Sequence, residues 1–142
     1  EINNEGSINI NYNNFFLKKI IIKIKKNKSR ISLFIEPSSK DIYQAKRLKA
    51  DCVEIHTGKF CNLVNQKKNY KKELKKICKV VEIGNTLGLE VHAGHGLNYN
   101  SAKILSKIKG IKEFNIGHFL IGESIFVGIS KVIKSFKKIL NS

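Results

Sequence analysis

Four short apolar runs alternate with longer amphipathic stretches along this chain, and this alternation restricts the folds open to it. The apolar runs are short enough to be buried β-strands, at residues 31–35, 52–56, 89–93 and 112–116. The stretches between them carry apolar residues at the spacing of a helix face. Strands that alternate with helices of this length predict βαβ units, and therefore a parallel sheet with right-handed crossovers.

Helices are predicted from the same pattern at about residues 13–28, 38–50, 69–87, 101–109 and 123–140. The residues between Gly58 and Asn69 are predicted to form a loop. The first helix is expected to bury Phe16, Ile20 and Ile24. The last helix is expected to bury an apolar stripe made of Ile125, Ile129, Val132, Ile133 and Phe136.

The length of the chain fits half of an α/β barrel. An eight-stranded barrel takes about 250 residues, whereas this chain has 142 and contains no methionine, even at position 1. A doubly wound sheet would need a glycine-rich turn after its first strand, and Glu36-Pro37-Ser38-Ser39 is not such a turn. We therefore predict an α/β fold in which residues 1–142 are the C-terminal portion of a single TIM (β/α)8 barrel domain. This portion comprises about strands five to eight with their helices, and the N-terminal half is absent.

The strongly basic composition does not by itself predict a nucleic-acid site. A formal net charge of +16 could neutralise phosphates, but the lysines are scattered through every predicted helix. Arginine, which binds phosphates and bases as a planar fork, occurs only as Arg30 and Arg47. Lysine, asparagine and isoleucine are abundant together, which indicates a coding bias rather than a binding surface. We therefore expect no specific nucleic-acid partner.

The cysteines and the lengths of the apolar runs bear on where the protein works. Cys52, Cys61 and Cys78 are odd in number and lack C-x-x-C spacing, so reduced thiols in a reducing compartment are expected. No apolar run approaches the roughly 18 residues of a membrane span, and no signal peptide opens the chain. We therefore expect a cytoplasmic protein with no membrane partner.

Two of the predicted strands are followed by a glycine–histidine pair. Gly94-His95-Gly96 follows the third strand, and Gly117-His118 follows the fourth. In an α/β barrel the carboxyl ends of the strands form one face, where the active site and the phosphate pocket are built. Glycines let the backbone approach an oxyanion, and successive N–H groups at a helix start bind it. The pattern therefore predicts an anion site with imidazoles beside it.

Each of these residues also has a structural explanation. Glu54 could pair with a lysine, and His56 could be a buried, hydrogen-bonded core histidine. Gly94 and Gly96 could be turn glycines with positive φ, and His118 could cap a helix. The coincidence of all of them at the same end of adjacent strands favours the functional interpretation.

Four stretches of the chain occur in the same order and at the same spacing as in a known enzyme family. They are Ile31-Ser32-Leu33-Phe34-Ile35, Val53-Glu54-Ile55-His56-Thr57-Gly58, Ala93-Gly94-His95-Gly96-Leu97-Asn98-Tyr99, and Phe114-Asn115-Ile116-Gly117-His118 with Ile121-Gly122. Together they resemble the pyridoxine 5'-phosphate synthase family. The resemblance covers the whole chain and specifies strands five to eight, while the first half of the family's sequence has no counterpart.

The resemblance implies a barrel enzyme without a metal ion or other cofactor, cytoplasmic and homo-oligomeric. Its partners would be two small phosphorylated substrates, 1-deoxy-D-xylulose 5-phosphate and 3-amino-2-oxopropyl phosphate. Condensing them gives pyridoxine 5'-phosphate, inorganic phosphate and water, a step of vitamin B6 biosynthesis. Amine addition, elimination and ring closure each move a proton, and a histidine titrates near the working pH.

The resemblance also implies a role for individual residues. His95 matches the proton donor, and Glu54 matches the residue that stabilises the transition state. Gly96, Gly117 and His118 match the contacts to the aminoketone phosphate.

Two departures from the family's pattern affect the expected activity. Asn3 falls where the family has a threonine that contacts the deoxyxylulose phosphate, so a polar side chain stands there without the hydroxyl. The family's histidine and glutamate general bases precede Glu1. We therefore expect this segment alone to be inactive or nearly so.

Two other functions fit parts of the same pattern. A metal-dependent TIM-barrel hydrolase could use His56, His95, His118 and Glu54 as a catalytic zinc set. It would also need an H-x-H on an early strand and a metal-bridging acid after the last strand, and neither is present in this half. A non-catalytic phosphate- or RNA-binding module would bind its ligand without turnover.

Overall fold

The computed structural model describes residues 14–141, which form a four-stranded sheet and seven helices. The strands are β1 (Ser32–Ile35), β2 (Cys52–His56), β3 (Glu90–Gly94) and β4 (Ile111–Asn115). The helices are α1 (Asn14–Lys26), α2 (Ser39–Arg47), α3 (Gly58–Asn65), α4 (Lys71–Thr86), α5 (Tyr99–Leu105), α6 (His118–Val127) and α7 (Ile129–Leu140). All the predicted strands are therefore confirmed, with small differences at their ends.

The strands lie in the sheet in the same order as in the chain, β1-β2-β3-β4, and every neighbouring pair is parallel. The predicted α/β class with a parallel sheet is therefore confirmed. A doubly wound sheet reverses its strand order at a switch point, and no reversal occurs among the strands of residues 14–141. The carboxyl ends of all these strands consequently meet at one end of the sheet.

One face of the sheet is apolar and packs against the helices. Side chains of a strand point alternately to its two faces, and one alternate set is almost completely buried, namely Leu33, Ile35, Val53, Ile55, Val91 and Ala93. The helices pack against this set through Ile42, Ala45, Ile77, Val80 and Val81. The other alternate set includes the half-buried Phe34, Glu54, His56 and Asn115. Polar side chains are therefore gathered on the second face.

The segment after β2 is helical, so the predicted loop is wrong over residues 58–65. Helix α3 is only eight residues long and has no side-chain cap at its start. Phe60 and Cys61 are buried in the main core. Tertiary packing, rather than a local signal, therefore stabilises this helix.

Gly128 divides the predicted last helix into two. Its φ of +84° lies in the left-handed region that glycine adopts readily, and α6 begins at His118 rather than at Glu123. Within the predicted apolar stripe, Val132 and Phe136 are buried. The other three members are exposed, namely Ile125, Ile129 and Ile133.

The predicted apolar face of the first helix is also exposed. In α1 the buried residue is Ile21, whereas Phe16, Ile20 and Ile24 are 62%, 37% and 40% exposed. Helices α1, α6 and α7 belong to the units at the two edges of the sheet, and no described element covers their outer faces. None of the helices within residues 14–141 has the length and apolar character needed to cross a membrane.

The three cysteines are free thiols, of which Cys52 and Cys61 are buried and Cys78 is exposed. Burial raises the pKa of the Cys61 thiol, so this side chain stays protonated and packs as a small apolar group. Cys61 lies directly below Gly96, where a Cβ would come 3.2 Å from the Cys61 Cβ. The Cys61 side chain therefore packs against the backbone of Gly96, which belongs to the predicted anion site.

Replacing Gly84 by alanine is expected to destabilise the fold. A Cβ at Gly84, on the buried side of α4, would lie 2.6 Å from Val91 Cγ2 and 3.2 Å from Ile42 Cδ1. The helix would gain about 1 kcal/mol of propensity, but overpacking a core costs about 1–3 kcal/mol. Because the β-branched Val91 is completely buried and cannot move aside, the midpoint of thermal unfolding of the full-length protein should fall.

Lys75→Ala, on the exposed side of the same helix, is the control for this prediction. It shortens a solvent-exposed side chain and adds no atom to the core. Its thermal midpoint should stay unchanged or rise. Equal midpoints for the two variants would contradict the close packing of α4 on β3.

Candidate active site

An open cleft of ≈ 1350 Å³ lies at the carboxyl ends of the strands. Its lining includes Phe34, Glu54, His95, Gly96, Asn98, Asn115, Gly117 and His118. The structure therefore brings together the two predicted catalytic residues and three of the predicted phosphate contacts. The remaining predicted contact, Asn3, lies outside the described residues.

The carboxylate of Glu54 is held by an amide on another strand. Asn115 Nδ2 of β4 donates a hydrogen bond of 2.6 Å to Glu54 Oε2 of β2. Strand β3 lies between these two strands. The alternative that Glu54 pairs with a lysine is therefore wrong for the described residues, because its partner there is a neutral amide.

Gly94 leaves room for this carboxylate. A Cβ on Gly94 would overlap Glu54 Oε1 and would lie 3.0 Å from the Asn115 Cβ. Gly94 is not among the residues with positive φ, so the expectation of a left-handed turn at Gly94 is wrong, and this glycine is required for space. At Gly96 the expectation is confirmed, because its φ is +77°.

His95 has an uncommon backbone conformation. Its φ of +75° lies in the left-handed region, which residues other than glycine occupy at a cost of about 1–3 kcal/mol. The buried Thr57 stabilises this turn, because its hydroxyl lies 2.7 Å from the Gly94 carbonyl oxygen and 2.8 Å from that of His95. Thr57 N–H also donates to the Gly94 carbonyl at 2.8 Å. The position of the His95 ring thus depends on Thr57.

His56 packs against His95 at the edge of the cleft. The centroids of the two rings are 4.5 Å apart, and Phe34 approaches His56 edge-on at 5.1 Å. His56 Nδ1 lies 3.0 Å from Glu36 Oε1, so the carboxylate orients this ring. The explanation of His56 as a buried core histidine is wrong, because this ring is half-buried on the cleft side of the sheet. Its polar partner is a carboxylate that follows β1.

The start of α6 faces the same cleft. Gly117 is the N-cap residue and His118 is the first helical residue, so the alternative of His118 as the cap is wrong. The N–H groups of a first helical turn have no partners within the helix and bind anions there. Both residues are exposed and can contact a ligand. Helix α6 is anchored by Phe119, which packs edge-on against Tyr99 at 4.9 Å.

The alternative zinc set does not form a metal site in the described part of the chain. Within residues 14–141 no three histidine, cysteine, aspartate or glutamate side chains are placed where they could hold one ion. His56 turns its Nδ1 toward Glu36, and Glu54 is bound by Asn115. The polar side chains at the cleft therefore bind different partners and do not converge on one point.

Three residues of the site carried no predicted role, namely Thr57, Asn115 and Glu36. Asn115 was detectable in principle, because strand alternation places it on the same face as the half-buried residues of β2. The role of Thr57 was not detectable, because its hydroxyl binds carbonyl groups 37 and 38 positions further along the chain. Such contacts exist only once β2 and β3 are paired.

The fold and the cleft define a class, that of parallel α/β proteins with an acid, a histidine and an anion-binding helix start at the carboxyl ends of the strands. A family model described as pyridoxal phosphate biosynthesis protein PdxJ matches residues 1–142. The chain belongs to this family.

Several curated relatives are similar over the length of this chain, and each is named pyridoxine 5'-phosphate synthase. The Pelagibacter ubique protein is 54% identical over 141 residues, which are 99% of this chain and 59% of that protein. The Ehrlichia chaffeensis protein is 41% identical over 142 residues, which are 100% of this chain and 57% of that protein. The Syntrophotalea carbinolica protein is 39% identical over 140 residues, which are 99% of this chain and 58% of that protein. This chain therefore spans less than two thirds of the length of these relatives.

Thr57→Val is expected to loosen the turn that carries His95. The substitution keeps the shape of the side chain but removes the hydroxyl that lies within hydrogen-bond distance of the Gly94 and His95 carbonyl oxygens. Loss of one such hydrogen bond costs about 0.5–1.5 kcal/mol. The thermal midpoint of the full-length protein and its turnover should both fall. Thr57→Ser retains the hydroxyl and should stay close to the wild type in both measurements. A valine variant indistinguishable from the serine variant would show that the hydroxyl does not hold the turn.

Proposed function

We propose that the full-length protein containing this chain is a pyridoxine 5'-phosphate synthase. It would condense 1-deoxy-D-xylulose 5-phosphate with 3-amino-2-oxopropyl phosphate to give pyridoxine 5'-phosphate, phosphate and water. One observation carries the proposal. Glu54, His95 and the pair Gly117-His118 are far apart in the sequence but line one cleft, and the relatives that share this name cover the whole chain.

We also propose that residues 14–141 supply about strands five to eight of a (β/α)8 barrel, and that residues 1–142 form the C-terminal part of this domain. The strands are all parallel and follow chain order, as consecutive units of a barrel do. Parallel sheets are normally covered on both sides, yet the outer faces of α1 and of α6 and α7 carry exposed apolar residues such as Phe15, Phe16, Ile125 and Phe126. Further barrel units at both edges would cover these faces.

In this proposal His95 and Glu54 perform the chemistry of the cleft. Addition of the amine to the ketone and loss of water give a cationic imine, and the carboxylate of Glu54 stabilises this charge. His95 delivers protons to departing oxygens, which suits an imidazole near neutral pH. The two side chains come from β2 and from the end of the neighbouring β3, and both line the cleft.

The start of α6 and the turn after β3 bind the phosphate group of the aminoketone. Gly96 and Gly117 offer backbone N–H groups without a side chain in the way, and His118 adds an imidazole. Asn3 is proposed to contact the deoxyxylulose phosphate, and the preceding half of the protein supplies the general bases. We further propose a cytoplasmic homo-oligomer that uses no metal ion.

Product formation tests the proposed function. The full-length protein, mixed with both substrates and EDTA, is expected to form pyridoxine 5'-phosphate and inorganic phosphate in equal amounts. Release of inorganic phosphate without pyridoxine 5'-phosphate, lost with EDTA and restored by zinc, would indicate the metal-dependent hydrolase instead. Binding of phosphate without any product from a folded protein would indicate a non-catalytic module.

Replacing His95 is expected to reduce turnover far more than substrate binding. Loss of a general acid typically costs about 10²–10⁴-fold, so kcat should fall by that order while the Kd of each substrate changes little. His95→Asn is the better variant than His95→Ala, because asparagine tolerates the left-handed conformation and separates the chemistry from backbone strain. Lys103→Ala, on the exposed side of α5, is the control. A parallel loss of binding and turnover would make His95 a ligand contact rather than a proton donor.

A further inference from the structure

We propose that Asn115 is a positioning residue for Glu54, and that Gly94 is the space that makes this contact possible. The inference rests on the proposed function, in which the Glu54 carboxylate stabilises a cationic intermediate. The match to the family's site residues gives no role to Asn115 or Gly94. The inference assigns a role to each of them.

Strand register explains why this contact needs Gly94. Across β2 and β3 Glu54 pairs with His92, and the next residue on the same face, His56, pairs with Gly94. Gly94 in turn pairs with Asn115 on β4. Glu54 and Asn115 are therefore separated by a complete strand, roughly 10 Å between backbones at two strand spacings.

Only a strand residue without a side chain allows two side chains to meet across it. Glu54 reaches toward β4, Asn115 reaches back, and their contact of 2.6 Å closes above Gly94. Because a Cβ at Gly94 would overlap Glu54 Oε1, any larger residue would displace the carboxylate from this position. The three residues thus form one geometric unit.

The chemical nature of the partner matters as much as its position. A hydrogen bond to an ionised acceptor is stronger than one between neutral groups, so the amide fixes the orientation of the carboxylate. An amide carries no net charge, and it therefore leaves the negative charge of Glu54 available to a cation. A lysine or arginine at position 115 would neutralise that charge.

The remaining lining of the cleft is consistent with this role. The chain has 27 lysine and arginine residues, yet none of the described residues that line the cleft is one of them. His92, the register partner of Glu54 on β3, lies 2.8 Å from Glu90 through its Nε2. The described part of the cleft thus provides no fixed positive charge beside Glu54, which suits a carboxylate whose partner is a charged intermediate.

The test compares Asn115→Ala and the isosteric Asn115→Asp with the wild type in the full-length protein. A small misplacement of a reacting group costs about 10²-fold, so kcat should fall about tenfold to a hundredfold in the alanine variant while KM changes little. The aspartate variant should lose at least as much, because like charges so close cannot both ionise. Asn62→Ala, on the exposed side of α3, should keep wild-type kinetics.

A double-mutant cycle separates positioning from mere structural support. If Asn115 acts through Glu54, then adding Asn115→Ala to Glu54→Gln should cause no further loss of kcat. Independent, additive losses would overturn the inference. Gly94→Ala should show the same loss of kcat with little change in KM.

The outcomes distinguish this inference from the proposed function. A wild-type protein that forms product while both Asn115 variants keep the wild-type kcat overturns the positioning role alone. A wild-type protein that forms no product overturns the proposed function and this inference with it. Thermal midpoints and binding of inorganic phosphate, measured for every variant, identify a loss caused by misfolding. The isosteric aspartate variant keeps the test decisive if the alanine variant does not fold.

Discussion

The burial of alternate side chains on β2 and β3 is the constraint on which the rest of the structure depends. Val53, Ile55, Val91 and Ala93 are completely buried against the helices, and a shift of one residue would send them to the other face. The same alternation directs Glu54 to the cleft. The aliphatic core thus determines which residues can take part in chemistry, although it lies on the opposite face of the sheet.

The cleft combines rigid support with little fixed charge. Thr57 holds the carbonyl groups of the turn that carries His95, and Asn115 holds the carboxylate of Glu54. Both contacts link neighbouring or next-neighbouring strands, so the geometry of the cleft depends on the sheet rather than on flexible loops. In the proposed function, this arrangement fixes the position of the Glu54 carboxylate and leaves its charge available to the cationic intermediate.

The surface and the cleft differ in charge. The lysines lie mainly on the helices, in agreement with the prediction of scattered, solvated charge, whereas the described lining of the cleft contains only neutral side chains, histidines and one carboxylate. In the proposed function, backbone N–H groups at the start of α6 attract the phosphate group without placing a cation beside Glu54.

The strands, the parallel sheet and the glycine–histidine turns followed from the sequence alone, because the period of apolar residues and the positions of glycines are local properties. The resemblance of four stretches also identified Glu54, His95, Gly96, Gly117 and His118, which the fold brings together in one cleft. Helix α3 was missed because the burial of Phe60 and Cys61 acts through packing. The break at Gly128 was missed although glycine is a local signal, because the apolar spacing of residues 125–136 continues across it. Only the tertiary structure decided three features of the cleft. They are the partner of Glu54, the space at Gly94 and the contacts of Thr57 with the turn that carries His95. Each joins residues that strand pairing brings together from distant parts of the chain.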